Sequence, residues 1–291
     1  MPRLFGAVLV AVSAAAFGSL AIFARYAYAD GMDTFTILFL RFALAALLML
    51  ILLIARGEHL PRGATLLRLI GMGSLGYVGQ AFCYFTALRY ASAGLVSLLL
   101  YLYPVFVAVL SVIVWRERMT AGKGLVLLLA LVGTALTVGP AGGRTPGVLL
   151  AVAAAAIYSV YIIVGAQVMK SVTAVQSSVV IFGSAAAVFG ALMAVNGPHP
   201  PMTVSGWAAI AAIVLIATIV AVVAFLAGLE RIGPTNAAMF STLEPVVTVS
   251  LAVLLLGETL KPLTLLGGGL ILAAVLLLTG GEFRRAKREI V

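Results

Sequence analysis

Charge is scarce in this chain, and so are the side chains that usually carry redox, metal or acid–base chemistry. Only 9% of its 291 residues are charged and 64% are hydrophobic, whereas soluble domains carry roughly 25% charged residues. A water-soluble fold is excluded. The single cysteine, Cys83, rules out an intramolecular disulfide, and its apolar neighbours make it a packing thiol. The two histidines, His59 and His199, fall in opposite connecting loops, which removes a histidine metal site and a buried histidine relay. No metal and no cofactor is expected. Long polar segments are missing too: no connection exceeds about a dozen residues, too short for an extramembrane catalytic or nucleic-acid-binding domain.

Two phosphate-binding signatures also fail. A GxxxxGK loop would need a glycine where Glu117 precedes Gly122-Lys123, so coupling to nucleotide hydrolysis is not expected. Gly71-Met72-Gly73-Ser74-Leu75-Gly76 spells GxGxxG, but that fingerprint requires a preceding strand and an acidic residue about 20 positions on. Here the glycines sit inside an apolar span, where small residues let helices approach closely. Gly267-Gly268-Gly269 reads the same way.

What the chain has in abundance is apolar sequence of helical length. Ten stretches, at 4–27, 34–55, 65–88, 91–114, 120–139, 146–168, 173–195, 205–229, 234–256 and 261–280, each approach the roughly 20 residues that cross a bilayer. A shift of 141 residues lays Gly6 on Gly147, Pro104 on Pro245, Glu117 on Glu258 and Gly139 on Gly280 without a gap. The first stretch resembles a secretory leader. Its match to 146–168 identifies it instead as the first helix. Five crossings per copy is an odd number, so the second copy inserts upside down, the inverted repeat of secondary transporters with a substrate site between the halves. The fold expected is therefore all-α and integral to the membrane: ten transmembrane helices in two inverted five-helix repeats, residues 1–141 and 142–282, followed by a basic tail at 283–291.

The net charge of +9 is a topology signal rather than a nucleic-acid signal. Thirteen of the 18 Lys and Arg fall on the side of the amino terminus: Arg3, Arg56, Arg62, Arg68, Arg116, Arg118, Lys123, Lys170, Arg231, Arg284, Arg285, Lys287 and Arg288. Arg25, Arg41, Arg89, Arg144 and Lys261 fall on the other, beside the acidic turn Asp30–Asp33. Both termini are thus expected in the cytoplasm. Arg25 and Arg41, near the outer ends of their spans, are expected to snorkel toward headgroups.

Polar residues at membrane depth carry the functional expectation. Pro104 and Pro245, near the centres of the fourth and ninth spans, each remove a backbone donor and are expected to kink their helices and act as hinges. Glu244 precedes Pro245, and a carboxyl group there must be paired, protonated or facing water. Proton coupling and a structural hydrogen bond both remain open for it; its repeat counterpart is Tyr103. Tyr77, Gln80 and Tyr84 share one helix face, as do Ser97, Tyr101 and Pro104, while Tyr158, Ser159 and Tyr161 cluster on the sixth span. Deep tyrosine hydroxyls either bond between helices or line a wet cavity. Beside Gln80 and with Ser241 and Glu244, they are expected to line a substrate cavity. Asn236, after Gly233-Pro234, is expected to cap or hinge the ninth span.

The closing segment of each half carries a resemblance. Leu243-Glu244-Pro245-Val246 with Leu256-Gly257-Glu258, and Leu102-Tyr103-Pro104-Val105-Phe106 with Trp115-Arg116-Glu117-Arg118, resemble the drug/metabolite transporter superfamily, in its ten-helix bacterial group built from two EamA-type units. Within that group the chain looks most like aromatic amino acid and methyl viologen exporters. The resemblance implies export of amino acids or related metabolites across the inner membrane, with amphiphilic cationic drugs as the alternative cargo. Its partners would be a small-molecule substrate and membrane lipids, with no nucleic acid. An intramembrane enzyme would need paired acid and base groups at depth, where only Glu244 qualifies apart from the outer-half arginines, and a channel would need a ring of charges or carbonyls; both stay open as less favoured alternatives to a carrier.

The charge tally yields a direct test of orientation. A cysteine placed in the Asp30–Asp33 turn is expected to react with an impermeant thiol reagent from outside intact cells, and one placed after Arg288 is not. The opposite labelling would reverse the topology.

Overall fold

The computed structural model describes residues 2–115, 121–141, 144–168 and 171–289. Arg116, Glu117, Arg118 and Lys170 lie outside the described residues, as do the side chains of Lys123, Asn236 and Arg284–Arg288. Every regular element among the described residues is helical.

In the first half, α1 (Pro2–Gly18) and α2 (Leu20–Ala29) form one bent rod, followed by α3 (Thr34–Ala55). Next come α4 (Gly63–Gly71), a π-helical segment (Met72–Tyr77) and α5 (Val78–Ala87), then α6 (Ala93–Leu100), α7 (Tyr103–Trp115) and α8 (Ala121–Ala141). The second half repeats the pattern: α9 (Thr145–Val168), α10 (Ala174–Asn196), α11 (Val204–Val214), a second π-helical segment (Leu215–Val220), α12 (Ala221–Ser241), α13 (Leu243–Leu256) and α14 (Pro262–Glu289). Among the described residues, five spans are long and apolar enough by themselves to cross a membrane, running through Leu4–Ala29, Thr34–Ala55, Thr145–Gly165, Ala174–Asn196 and Val204–Phe225. Leu75, Leu254, Val195 and Val204 are largely exposed on the outside of the bundle, a surface suited to hydrocarbon.

Counterpart helices pair in a pattern that exchange of the halves leaves intact. α3 packs along its own counterpart α10, and α8 along α14, while α1 packs on α12 as the counterparts α9 and α5 pack on each other. α3 and α10 run antiparallel, tied at both ends. At one end the His199 amide donates to Thr36 Oγ1 at 3.0 Å; at the other Thr173 Oγ1 donates to Glu58 Oε2 at 2.5 Å and Gln176 Nε2 to the His59 carbonyl at 2.8 Å. Beyond the α2 end, Asp30 accepts from the Met202 amide at 2.8 Å and from the Thr203 hydroxyl, a hydrogen bond that holds its carboxyl below the usual carboxylate range.

Gly73, inside the first π segment, explains the glycine-rich run. A Cβ there would lie 2.0 Å from Ser184 Oγ and 2.5 Å from the Ile181 carbonyl of α10, so only glycine permits this approach.

Two boundaries differ from the sequence expectation. At the prolines the helices are interrupted for one or two residues: α6 ends before Tyr101-Leu102 and α12 before Thr242, leaving Pro104 and Pro245 in the first turns of α7 and α13. There a missing amide is tolerated, because first-turn amides have no partner within the helix. Residues 230–233 do not separate two helices, since α12 runs unbroken through Gly233-Pro234 to Ser241. A proline deletes one amide from the ladder, whereas ending the helix in an apolar medium would orphan several groups. Asn236 accordingly stands inside α12 rather than at a helix start.

The carboxylate of the Leu-Gly-Glu segment caps a helix. Glu258 Oε1 accepts from the Ala93 amide at 2.6 Å and Oε2 from the Gly94 amide at 3.2 Å, while Ser92 Oγ accepts from the Leu95 amide. Together they satisfy the first amides of α6 and join α6 to the end of α13. Glu258→Ala is expected to lower stability by about 1–2 kcal/mol, read as a lower melting temperature in detergent, with Glu258→Gln less affected. An unchanged melting curve for Glu258→Ala would deny the cap a role.

Candidate functional site

A bend and two helix breaks converge on Glu244. The bend is at Gly18-Ser19 between α1 and α2, and the breaks are at Tyr101-Leu102 and at Thr242. A Cβ on Gly18 would lie 2.7 Å from the Glu244 carbonyl oxygen, so glycine lets the α1 backbone reach the start of α13. Thr248 Oγ1 bridges the Gly18 carbonyl at 2.8 Å and the Glu244 carbonyl at 3.1 Å.

The two breaks are joined by one hydroxyl. Pro245 cannot donate to the carbonyl four residues earlier, which is that of Ser241. Tyr101 Oη donates to this oxygen and stands 3.0 Å from Glu244 Oε2. Tyr101 is only 3% exposed. Tyr101 Oη is the donor to Glu244 Oε2 as well as to the Ser241 carbonyl, so its one proton is shared between the two acceptors.

A partly open cavity of about 100 Å³ lies beside this junction, lined by Arg41, Tyr77, Gln80, Tyr84, Tyr101, Tyr103, Tyr158 and Glu244 with Phe17, Leu20, Ala81, Phe85 and Leu100. A run of aromatic rings forms one wall. Tyr101 meets Tyr103 edge-on at 5.8 Å, Tyr103 meets Tyr158 at 4.9 Å, Tyr158 stacks on Tyr161 at 5.9 Å, and Tyr161 stacks on Tyr77 at 5.6 Å. Of the residues expected to form a cavity, Tyr77, Gln80, Tyr84, Tyr101, Tyr158 and Glu244 line it. Tyr161 supports the wall, and Ser241 contributes its carbonyl. Ser97 and Ser159 are buried outside the lining; Ser159 Oγ donates to Ala156 in its own helix at 2.6 Å.

Arg41 is the main correction. It does not snorkel: it is 4% exposed and lines the cavity. Its depth was legible, since Arg41 lies seven residues into α3, about 10 Å below the helix start at 1.5 Å per residue. Arg25 likewise turns inward, its Nη1 donating to the Leu88 carbonyl at 2.6 Å. Tyr103 was visible as the counterpart of Glu244, but its place in the cavity depends on the break at Tyr101-Leu102. Among the described residues no cluster of three or more His, Cys, Asp or Glu could hold a metal.

A helical, lipid-compatible bundle around a partly open polar-aromatic cavity has the form of a membrane transport protein. The EamA-like transporter family model matches the chain twice, over residues 4–139 and 145–280, and the chain belongs to this family. It is 23% identical over 296 residues to the uncharacterized transporter YcbK of Bacillus subtilis (strain 168), covering 97% of this chain and 94% of that one. To an uncharacterized transporter of Archaeoglobus fulgidus it is 26% identical over 275 residues, covering 94% and 96%. A crystal structure of a protein 23% identical in sequence shares the fold, with a TM-score of 0.68 over 96% of this chain and 98% of the other.

The hydrogen bonds separate two kinds of lining residue. Tyr101→Phe removes the hydroxyl that donates to the Ser241 carbonyl and to Glu244 and is expected to destabilise the protein by about 1–3 kcal/mol. Gln80 makes no hydrogen bond within the described protein, so Gln80→Ala is expected to melt like the wild type while transport falls. Thermal unfolding in detergent and flux in proteoliposomes check both; equal stability losses would make Gln80 an interhelical strut.

Proposed function

We propose that the protein is a secondary transporter that exports amino acids or related small metabolites across the bacterial inner membrane by alternating access. In this reading ten helices cross the bilayer as two inverted five-helix halves, with both termini cytoplasmic. The antiparallel pairing of α3 with its counterpart α10 supports the inversion. The cavity at the junction of two interrupted helices and a bent one carries the functional reading. Helices interrupted beside a partly open site can bend there without breaking regular hydrogen bonds, so the halves rock about it.

The site takes Tyr77, Gln80, Tyr84, Tyr101, Tyr158 and Glu244 as contact residues, with Ser97, Ser159, Tyr161 and Ser241 supporting them. Pro104 and Pro245 mark the hinges. A space of about 100 Å³ is well below the roughly 300–1,000 Å³ of sites for drug-sized ligands, which favours a small metabolite over an amphiphilic drug. Catalysis is not required of any of these groups.

Glu244 supplies a means of proton coupling. Protonated, it closes the Tyr101–Ser241 junction as a donor; ionised, it competes with the Ser241 carbonyl for the one Tyr101 proton and loosens the junction. Loading and unloading a proton would thus tighten and release the contact between the halves. Glu244→Gln, which keeps a donor beside Tyr101, is expected to abolish the response of flux to an imposed pH gradient while preserving substrate-for-substrate exchange. If wild-type flux ignores the gradient, Glu244 is structural and the protein is a uniporter.

A further inference from the structure

We infer that Arg41 is the anchor for a carboxylate on the transported molecule, an inference that rests on the cavity being the transport site. The substrate class is then a small apolar molecule carrying one carboxylate, such as an aliphatic amino acid or its deaminated acid.

The Arg41 guanidinium is held by one hydroxyl and two aromatic rings. Nε donates to Thr218 Oγ1 at 3.2 Å. Thr218 spends its own proton on the Ile213 carbonyl at 2.8 Å, a bond across the second π-helical segment that turns its lone pair toward Arg41. The faces of Phe42 and Phe85 lie 5.1 and 5.6 Å from the guanidinium carbon. These contacts hold and orient the group without neutralising it. Among the described residues no carboxylate lies within ion-pair distance of Arg41 and no acceptor takes its terminal N–H groups, although the side chain lines the cavity. A buried cation in an apolar bundle requires a counter-charge. A planar fork with free donors facing a partly open cavity fits a carboxylate in bidentate fashion.

The repeat shows that packing does not demand an arginine at this point of the fold. A shift of 141 residues carries Arg41 to Phe182 and Thr218 to Tyr77. In that half the pair is two stacked rings, 6.0 Å apart. The same architectural position is therefore filled by an apolar contact in one half and by a cation on a hydroxyl in the other. Only the cation faces an unmet electrostatic need.

The other lining groups narrow the ligand. Glu244 shares the cavity with Arg41 but is not within ion-pair distance of it, which leaves its carboxyl oxygen to accept from the ammonium group of a zwitterion. The tyrosine wall and Phe17, Leu20 and Phe85 accept an apolar side chain. A phosphate, a bare amine and a polyol each leave one of these features unmatched.

The test uses the full-length protein in proteoliposomes, with L-leucine, L-leucinamide, 4-methylpentanoate and 3-methylbutylamine as probes, each offered with and without competing acid. L-Leucine is expected to be carried at least about tenfold better than its amide, as for loss of a hydrogen-bonded charge pair, and 4-methylpentanoate better than the amine. Arg41→Gln should bring acid and amide within about twofold, and Arg41→Lys, a charge without the fork, should fall between. Should Arg41→Gln fail to fold, the wild-type comparison and Arg41→Lys still decide. Equal transport of acid and amide by the wild type, or a preference that survives Arg41→Gln, overturns the anchor. So does transport of the amine or amide alone, or of none of the probes. If Gln80→Ala impairs whatever flux remains in these cases, the cavity reading stands without the anchor; if neither Gln80→Ala nor Arg41→Gln changes flux, the cavity reading itself fails.

Discussion

A carbonyl freed in the interior of a lipid-facing bundle has no water to turn to. Pro245 cannot donate to the Ser241 carbonyl, and a side chain from the other half of the molecule, Tyr101, donates to it. That single hydrogen bond ties the break before α13 to the break after α6. Glu244 is held 3.0 Å from the same hydroxyl, and the approach of Gly18 brings the bend of the first rod to the same point. Interruptions that would each be liabilities alone are mutually satisfied when placed together. The site arises where two interrupted helices meet the bend of the first rod.

The two halves are similar in framework and unlike in chemistry. Their helix order, their π-helical segments and their pairing correspond, yet Glu244 answers Tyr103, Arg41 answers Phe182 and Thr218 answers Tyr77. A symmetric scaffold is suited to exchanging two conformations of similar energy, because each half can adopt the shape of the other. The charged substitutions then give the shared cavity a direction: a cation set in the second rod, α3, and a carboxyl group at the start of α13. Each π-helical segment serves this asymmetry, one presenting Tyr77 to the cavity and the other aiming Thr218 at Arg41. Such segments displace side chains from the regular helical phase, which is why they recur at functional sites.

Much of this was legible before any coordinates. The 141-residue repeat, the helical bundle and the gathering of Tyr77, Gln80, Tyr101, Tyr158 and Glu244 follow from hydrophobic length and from the cost of polar groups at depth. Helix ends were less legible, because whether a proline breaks a helix or is carried through depends on which neighbours can satisfy the freed groups. Pro234 is carried through α12, whereas Pro245 follows a break that Tyr101 bridges. Arg41 was misplaced for a related reason. Snorkelling is the default for a lone arginine near a helix end, and only the hydroxyl of Thr218, 177 residues away, and the rings of Phe42 and Phe85 make the inward position tenable. Ser97 and Ser159 show the converse, since a shared helix face does not decide which side chains meet a cavity.

The central claim is that the space beside Glu244 opens to each side of the membrane in turn. It is tested most directly by a single cysteine at Gln80 in a Cys83→Ala background, exposed to a membrane-impermeant thiol reagent in right-side-out and in inside-out vesicles. Alternating access predicts modification from both faces in the same preparation, at rates that shift in opposite directions when transported substrate is added to one side. Modification from one face only, or from neither, would contradict it.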